Sequence, residues 1–258
     1  MSDIDMAEVC AWAREGGVVA RRLFNHVTAR HKADRTLVTE ADEQIEQLLV
    51  ERIAARYPDH GILGEERTRR TTDREFVWAI DPLDGTSAFV SGLPTWCVSI
   101  GLLREGRPYA GVIHLPLLDD FYWAGPEGGA FLNEQPIGIR PDQPVGSDDW
   151  LAVPSNLHRR FRVDFRGKVR SLGSTAAGFC YVARGSAAAA LIAYSSLWDI
   201  AAGLALLQAV GGGMSGLSGQ RLDPASLLDG QPMPEPQIIG APALVEELRH
   251  HISYQTRR

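Results

Sequence analysis

Within residues 5–29, apolar side chains fall at Met6, Val9, Cys10, Ala13, Ala20, Leu23, Phe24 and Val27. That spacing predicts an amphipathic helix. A second helix is predicted over residues 40–57, with Ile45, Leu48, Leu49 and Ile53 on one face. Thr39 and Asp42 stand at capping-box spacing at its start, and Pro58 lies just past its end. Then the period changes. Gly61-Ile62-Leu63-Gly64 and residues 76–80 are short apolar runs, which predict buried strands. Strands follow at 96–103, 108–114, 121–124 and 130–132, separated by turn residues at Glu105-Gly106, Leu118-Asp119-Asp120 and Gly125-Pro126-Glu127-Gly128-Gly129. This is the pattern of an antiparallel meander.

Residues 140–149 are rich in Pro, Asp and Gly and mark the expected boundary between two halves. Residues 1–140 read as α+β. Residues 141–258 read as α/β, with strands near 151–154, 169–172, 187–193 and 237–239. Helices are predicted at 175–184, 199–210 and 243–251.

Composition narrows the picture in three ways. The 258 residues, 45% hydrophobic and 22% charged, can bury a large core in one unit or two closely joined halves. No apolar stretch is long enough to span a bilayer, and the acidic start Met1-Ser2-Asp3-Ile4-Asp5 lacks the features of a signal peptide. Cys10, Cys97 and Cys180 lie too far apart to suggest a disulfide framework or a zinc motif, so a reducing cytoplasm is expected. The net charge of −6 argues against a surface devoted to nucleic acid; the most basic stretches, 67–74 and 256–258, are short. An acidic protein that binds phosphate among carboxylates needs a divalent cation between them.

Carboxylates cluster at the ends of predicted elements. Glu65-Glu66 follow one strand and Asp81 and Asp84 another, Asp199 opens a helix, and Asp42 lies in the first turn of the second helix. Hard oxygen ligands of this kind suit Mg²⁺ or Mn²⁺. In Asp81-Pro82-Leu83-Asp84-Gly85-Thr86, Pro82 sets the chain direction after the strand. Two acids three residues apart in a turn can face one cavity, and the Leu83 carbonyl can join them. Gly85 lets backbone approach a phosphate, and Thr86 adds a hydroxyl. Each residue also has an ordinary reading. Glu65-Glu66 fit a solvated charge run, Asp42 and Asp199 fit helix caps, and Asp81-Pro82 and Asp84-Gly85 fit turns. Gly173-Ser174-Thr175 fits a plain strand-to-helix joint. Their joint order is what singles them out.

That order resembles the inositol monophosphatase family of Mg²⁺-dependent, lithium-sensitive sugar phosphatases. Four segments carry the resemblance: Leu37-Val38-Thr39-Glu40-Ala41-Asp42; Leu63-Gly64-Glu65-Glu66; Trp78-Ala79-Ile80-Asp81-Pro82-Leu83-Asp84-Gly85-Thr86 with Phe89 and Gly92-Leu93-Pro94; and Trp198-Asp199-Ile200-Ala201-Ala202-Gly203 with Gly211-Gly212. The resemblance implies a layered αβαβα sandwich. It implies two or three Mg²⁺ ions, or Mn²⁺, on Glu65, Asp81, the Leu83 carbonyl, Asp84 and Asp199, with Glu66 at a third ion or just behind it. Gly85, Thr86 and Ser87 match phosphate-holding positions, and Asp42 matches a residue that pairs with Thr86. Lys32 or His31 matches a basic residue near the phosphate. Gly173, Ser174 and Thr175, with Asp84 and Asp199, match positions near the substrate's hydroxyl groups.

The implied activity is hydrolysis of a small phosphate monoester by metal-activated water, with no phosphoenzyme. Thr86 orients that water, Asp42 accepts from Thr86, and Glu65 takes the proton. Inositol-hydrolysing members carry an acid seven positions before the aspartate matched by Asp199. Here that position is Ile192, which argues against myo-inositol phosphate and leaves Tyr194, Ser195 or Ser196 to contact another alcohol. Residues 88–96 also resemble the histidinol-phosphate phosphatase branch, and 3′-phosphoadenosine 5′-phosphate phosphatases share the Asp-Pro-Leu-Asp-Gly-Thr run. Fructose-1,6-bisphosphatase and a non-catalytic phosphate-binding protein are further alternatives, the last disfavoured by the complete acid set. A homodimer without membrane or nucleic-acid partners is implied.

Overall fold

The computed structural model describes residues 4–33, 36–66, 68–141 and 143–255. The acidic start at 1–3, Arg67 and the basic end at 256–258 therefore lie outside the described residues. Helix α1 (Met6–Leu23) begins where the Asp5 carboxylate accepts from the Ala7 and Glu8 N–H groups. It ends six residues short of the predicted range, which runs to residue 29. Phe24 leaves helical geometry and Asn25 turns to φ 63°, while the Phe24 ring packs on Phe89 and Trp96. Burial continues there after the helix stops. Strands β1 (Arg30–His31) and β2 (Leu37–Val38) pair antiparallel and lead into α2 (Glu40–Arg56). The capping box at Thr39 and Asp42 forms as its spacing predicts.

Next come β3 (Gly61–Gly64), β4 (Arg69–Arg70), β5 (Phe76–Asp84), the short helix α3 (Thr86–Val90), β6 (Cys97–Arg104) and β7 (Arg107–Leu115). With β8 (Asp120–Ala124), β9 (Ala130–Leu132) and β10 (Gln135–Ile137) they build an eight-stranded sheet, ordered β10-β9-β8-β7-β6-β5-β3-β4. From β5 to β10 it is the expected antiparallel meander; β3 joins β5 in parallel. Beyond it lie β11 (Trp150–Val153), α4 (Leu157–Arg160), β12 (Phe161–Val163), β13 (Lys168–Ser171), α5 (Thr175–Ala183), β14 (Ala189–Ile192) and α6 (Leu197–Ala209). The chain closes with β15 (Gly213–Gly216), β16 (Gln237–Gly240), α7 (Pro242–Leu248) and β17 (Ile252–Tyr254). A second sheet runs β13-β11-β14-β16-β15, and β12 pairs with β17 apart from it. β10, β12, β15 and β17 had no clear apolar pattern: they are three or four residues long, and β15 is Gly-Met-Ser-Gly.

Four apolar clusters show the layering. α1 and α2 cover one face of the large sheet through Trp12, Ile45, Leu49 and Ile53. α5 and α6 fill the space between the two sheets. α7 covers the far side of the second sheet through Leu244, Val245 and Leu248. The result is the αβαβα sandwich that the sequence implied. No described helix is long and apolar enough to cross a membrane. Cys10, Cys97 and Cys180 are buried and free.

One packing detail positions the chemistry. Gly101 on β6 and Gly111 on β7 are cross-strand partners. A Cβ on Gly101 would lie 2.4 Å from Ala201 Cβ and 2.6 Å from the Ala202 nitrogen; one on Gly111 would lie 2.5 Å from the Ala202 oxygen. The two glycines form a notch in the sheet, and α6 rests in it nearly backbone on backbone. Asp199 lies half a turn before that contact.

Candidate active site

Asp81 and Asp84 were expected in a turn after the strand. They instead belong to β5, which continues through a bulge. Asp81 pairs with Ser99 and Asp84 with Cys97, so three steps on β5 match two on β6. In a regular strand, residues three apart point to opposite faces. The extra residue cancels that offset and turns both carboxylates toward the middle helix layer. Pro82 is tolerated because a bulge does not need its missing N–H.

Asp199, in the first turn of α6, meets them there. Each of Asp81, Asp84 and Asp199 offers an oxygen, and these oxygens all lie within 4.8 Å of one another. Burial pushes the Asp81 carboxyl well above the usual carboxylate range, and the charges of Glu65, Asp84 and Asp199 push it further. Burial does the same to Asp199, helped by Glu65 and Asp84. The Asp81 carboxyl thus stands against those of Asp84 and Asp199, with the charge of Glu65 close by. Acids meet this way only with a proton or a cation between them. The Ser99 hydroxyl, on the strand position opposite Asp81, is buried and has no hydrogen-bond partner. A largely buried, all-oxygen donor set of this charge fits a hard divalent cation such as Mg²⁺.

The acids also cap helices, so the ordinary reading and the chemical one coincide. Asp199 Oδ2 accepts from the Ser196 N–H at 2.6 Å, which makes Ser196, not Asp199, the cap of α6. Asp84 Oδ2 accepts from the Ser174 hydroxyl and from the Ala176 N–H at 2.7 Å, and Oδ1 accepts from Thr175 N–H at 3.3 Å. Burial raises the Asp84 pKa to about 6, and these hydrogen bonds limit the rise. Asp42 Oδ2 accepts from the Thr39 N–H at 2.7 Å and hydroxyl at 2.6 Å. Asp42 Oδ1 accepts from Thr86 Oγ1 at 3.0 Å, which also lies 3.1 Å from the Leu83 carbonyl. Burial raises the Asp42 pKa against these hydrogen bonds. Gly85 turns the chain at φ 92° between β5 and α3, placing Thr86 and exposed Ser87 at the start of that helix.

Glu65 and Glu66 stand at the side of the pit. Lys32 Nζ lies 2.8 Å from Glu65 Oε1 and 2.7 Å from Glu66 Oε1. Of the two basic candidates, Lys32 is thus the one joined to these acids. Burial raises the Glu66 pKa to about 7, opposed by Lys32. The sequence reading missed Glu46. Its carboxylate is buried, accepting from Glu66 N–H at 2.7 Å, Thr68 N–H at 3.0 Å and the Thr68 hydroxyl at 2.9 Å. It fixes the turn that carries Glu65 and Glu66. The available signal was an acid beside Ile45 and Leu49, four residues after Asp42 on the buried side of α2.

A pocket of about 280 Å³ opens next to the pit. Asp84, Gly173, Ser174 and Thr175 form its boundary with the pit, and Ile192 and Tyr194 also line it. Ser195 is buried, with its hydroxyl 3.4 Å from Thr175 Oγ1.

Comparison with known proteins points to one family. The model of the "Inositol monophosphatase family" matches residues 3–253. Inositol monophosphatase 1 of Solanum lycopersicum is 34% identical over 232 residues, 82% of this chain and 84% of its own. A histidinol-phosphatase of Chlorobaculum parvum is 34% identical over 209 residues, 78% of each chain. The Thermotoga maritima IMPase structure superimposes with a TM-score of 0.83 at 26% identity, over 94% of both chains.

Proposed function

Because this chain belongs to the inositol monophosphatase family, we propose that its acidic pit hydrolyses a small phosphate monoester with Mg²⁺ held by Asp81, Asp84 and Asp199. Glu65 and the Leu83 carbonyl complete the ligand set, with Glu66 beside a third ion. The observation that carries this reading is the convergence of the buried Asp81 and Asp84 and the half-buried Asp199 carboxylates within 4.8 Å, next to the Thr86–Asp42 pair. When bound, the cations admit phosphate among the carboxylates, activate the attacking water and stabilise the departing oxygen. The protein's own groups orient the reaction. Thr86 gives its proton to Asp42 at 3.0 Å, which leaves its oxygen to accept from the water. Thr39 holds Asp42 in place for that contact. Glu65 receives the water's proton. Gly85, Thr86 and Ser87 hold the phosphate, and Gly173, Ser174 and Thr175 face the alcohol. Family membership also supports a cytoplasmic homodimer.

Phosphate release is the direct test. The panel comprises inositol 1-phosphate, histidinol phosphate, fructose 1,6-bisphosphate and 3′-phosphoadenosine 5′-phosphate, each with and without Mg²⁺. Mg²⁺-dependent release from at least one is expected; none from any would favour a non-catalytic binding protein.

Glu46 gives a second test. Glu46→Ala strands the Glu66 and Thr68 N–H groups and should cost about 3 kcal/mol of stability. The Mg²⁺ concentration for half-maximal rate should rise about tenfold, because the turn bearing Glu65 loosens. Unchanged Mg²⁺ dependence in a destabilised variant would make Glu46 purely structural.

A further inference from the structure

The acids around the pit are supplied with donors unevenly. Asp84 accepts from the Ser174 hydroxyl and from the Thr175 and Ala176 N–H groups. Asp42 accepts from the Thr39 N–H and from the hydroxyls of Thr39 and Thr86. Asp81 is 1% exposed and stands against two other acids. Among the described residues, the one backbone or alcohol donor on its carboxylate is the Leu83 N–H, 3.0 Å from Oδ1. An ionised carboxylate has room for several more.

Ser99 stands beside it. The two are cross-strand partners on β5 and β6, and such partners share a face of the sheet. On β6, Val98, Ile100 and Leu102 pack with α1 and α2, so Ser99 and Gly101 look the other way, toward α6. Gly101 is part of the notch in which α6 rests. Ser99 is 0% exposed, and its hydroxyl has no hydrogen-bond partner among the described residues. On this face the strands place Asp81 on one side of it, Ile113 of β7 on the other, and Cys97 and Gly101 along β6. Of these, Asp81 alone carries a strong acceptor. A buried hydroxyl without a partner lowers stability, and an alanine of nearly the same size would avoid that cost. Such a group calls for a partner that the working state of the site supplies.

We propose that Ser99 is a positioning residue for the cation site: its hydroxyl donates to the Asp81 carboxylate when that carboxylate holds Mg²⁺. This rests on the phosphatase reading above, in which Asp81 is a ligand. A bound cation draws one oxygen of each acid toward itself. The plane of the carboxylate is then fixed by a donor from the protein, the part that Ser174 plays for Asp84. Leu83 N–H holds Asp81 from its own strand. Ser99 holds it from the next strand, across the direction of the first bond. The residue touches neither phosphate nor water and acts through Asp81.

The test compares the parent with Ser99→Ala in two measurements made without substrate at pH 8. Circular dichroism melts of the metal-free proteins read the fold, and isothermal titration calorimetry reads the Kd for Mg²⁺. The two should move in opposite senses. Metal-free Ser99→Ala should melt no lower than the parent, because the hydroxyl it lacks has no partner there. Its Kd for Mg²⁺ should nevertheless rise about tenfold. A residue that only fills space would give a lower melt, with affinity falling because the whole site loosens; that joint fall overturns the proposal. So does a Kd within about twofold of the parent's, since a donor that orients a ligand is worth more than that. A parent that binds no Mg²⁺ and shows no Mg²⁺-dependent phosphate release would instead sink the phosphatase reading, and this one with it.

Discussion

Asp84→Asn should lower Mg²⁺-dependent phosphate release by about a thousandfold and leave the fold standing. Asn has the same shape, and its amide oxygen can keep accepting from Ser174 and the Ala176 N–H at the Oδ2 position. The hydrogen bond exposed to conflict is the longer one from Thr175 N–H, at 3.3 Å. What disappears is a negative charge packed with Asp81 and Asp199. The metal-free variant should therefore melt no lower than the parent at pH 8. Circular dichroism melts read the fold, and phosphate release reads the chemistry. Near-normal turnover with an intact melt would remove Asp84 from the mechanism.

Mg²⁺ should stabilise the protein far more at pH 8 than at pH 5. An Asp carboxyl ordinarily titrates near 3.8; in the folded, metal-free protein Asp84 titrates at about 6, and Asp81 and Asp199 are also displaced well upward. Below pH 4 these acids are protonated whether the chain is folded or not, and their burial carries no charge penalty. As pH rises through 6 and beyond, the folded protein must ionise them at a cost that the unfolded chain avoids. Metal-free stability therefore falls across this window. For Asp84 alone the displacement corresponds to roughly 3 kcal/mol, and a chain of this size shifts its Tm by roughly 2–4 °C per kcal/mol. Saturating Mg²⁺ should thus raise Tm by at least ~5 °C at pH 8 and by much less at pH 5. Equal shifts at the two pH values would mean that the cation binds away from these acids.

Much of this architecture was legible because local signals and burial agree. The face of α2, its capping box and the apolar strands β3 and β5 to β9 all follow the periods that predict them. The acids of the pit were legible as types at particular positions, but the reason two of them share a face was not. The sequence reading placed Asp81 and Asp84 in a turn because Pro82 ordinarily ends a strand. The bulge exists only in the register against β6, which depends on pairing between distant residues. Glu46 was hidden for a related cause. Its partners lie on a turn twenty residues on, so it resembles an ordinary surface acid on a helix until that turn is folded over it. Ala152, Gly178 and Ala190, which line the pocket beside the pit, carried no signal at all, since a cavity made by small residues has no motif.

The glycine notch beneath α6 has a consequence for how such a protein can diversify. Main-chain contact at Gly101 and Gly111 sets the depth of Asp199, so the spacing of the acids does not depend on side-chain packing around them. The alcohol's surroundings are built the opposite way, from the bulk of individual side chains on β11, β14 and α5. Single substitutions there can reshape what leaves without disturbing where phosphorus is attacked. The fold separates a rigid reaction frame from an adjustable mould, and new leaving groups can be tried without rebuilding the frame.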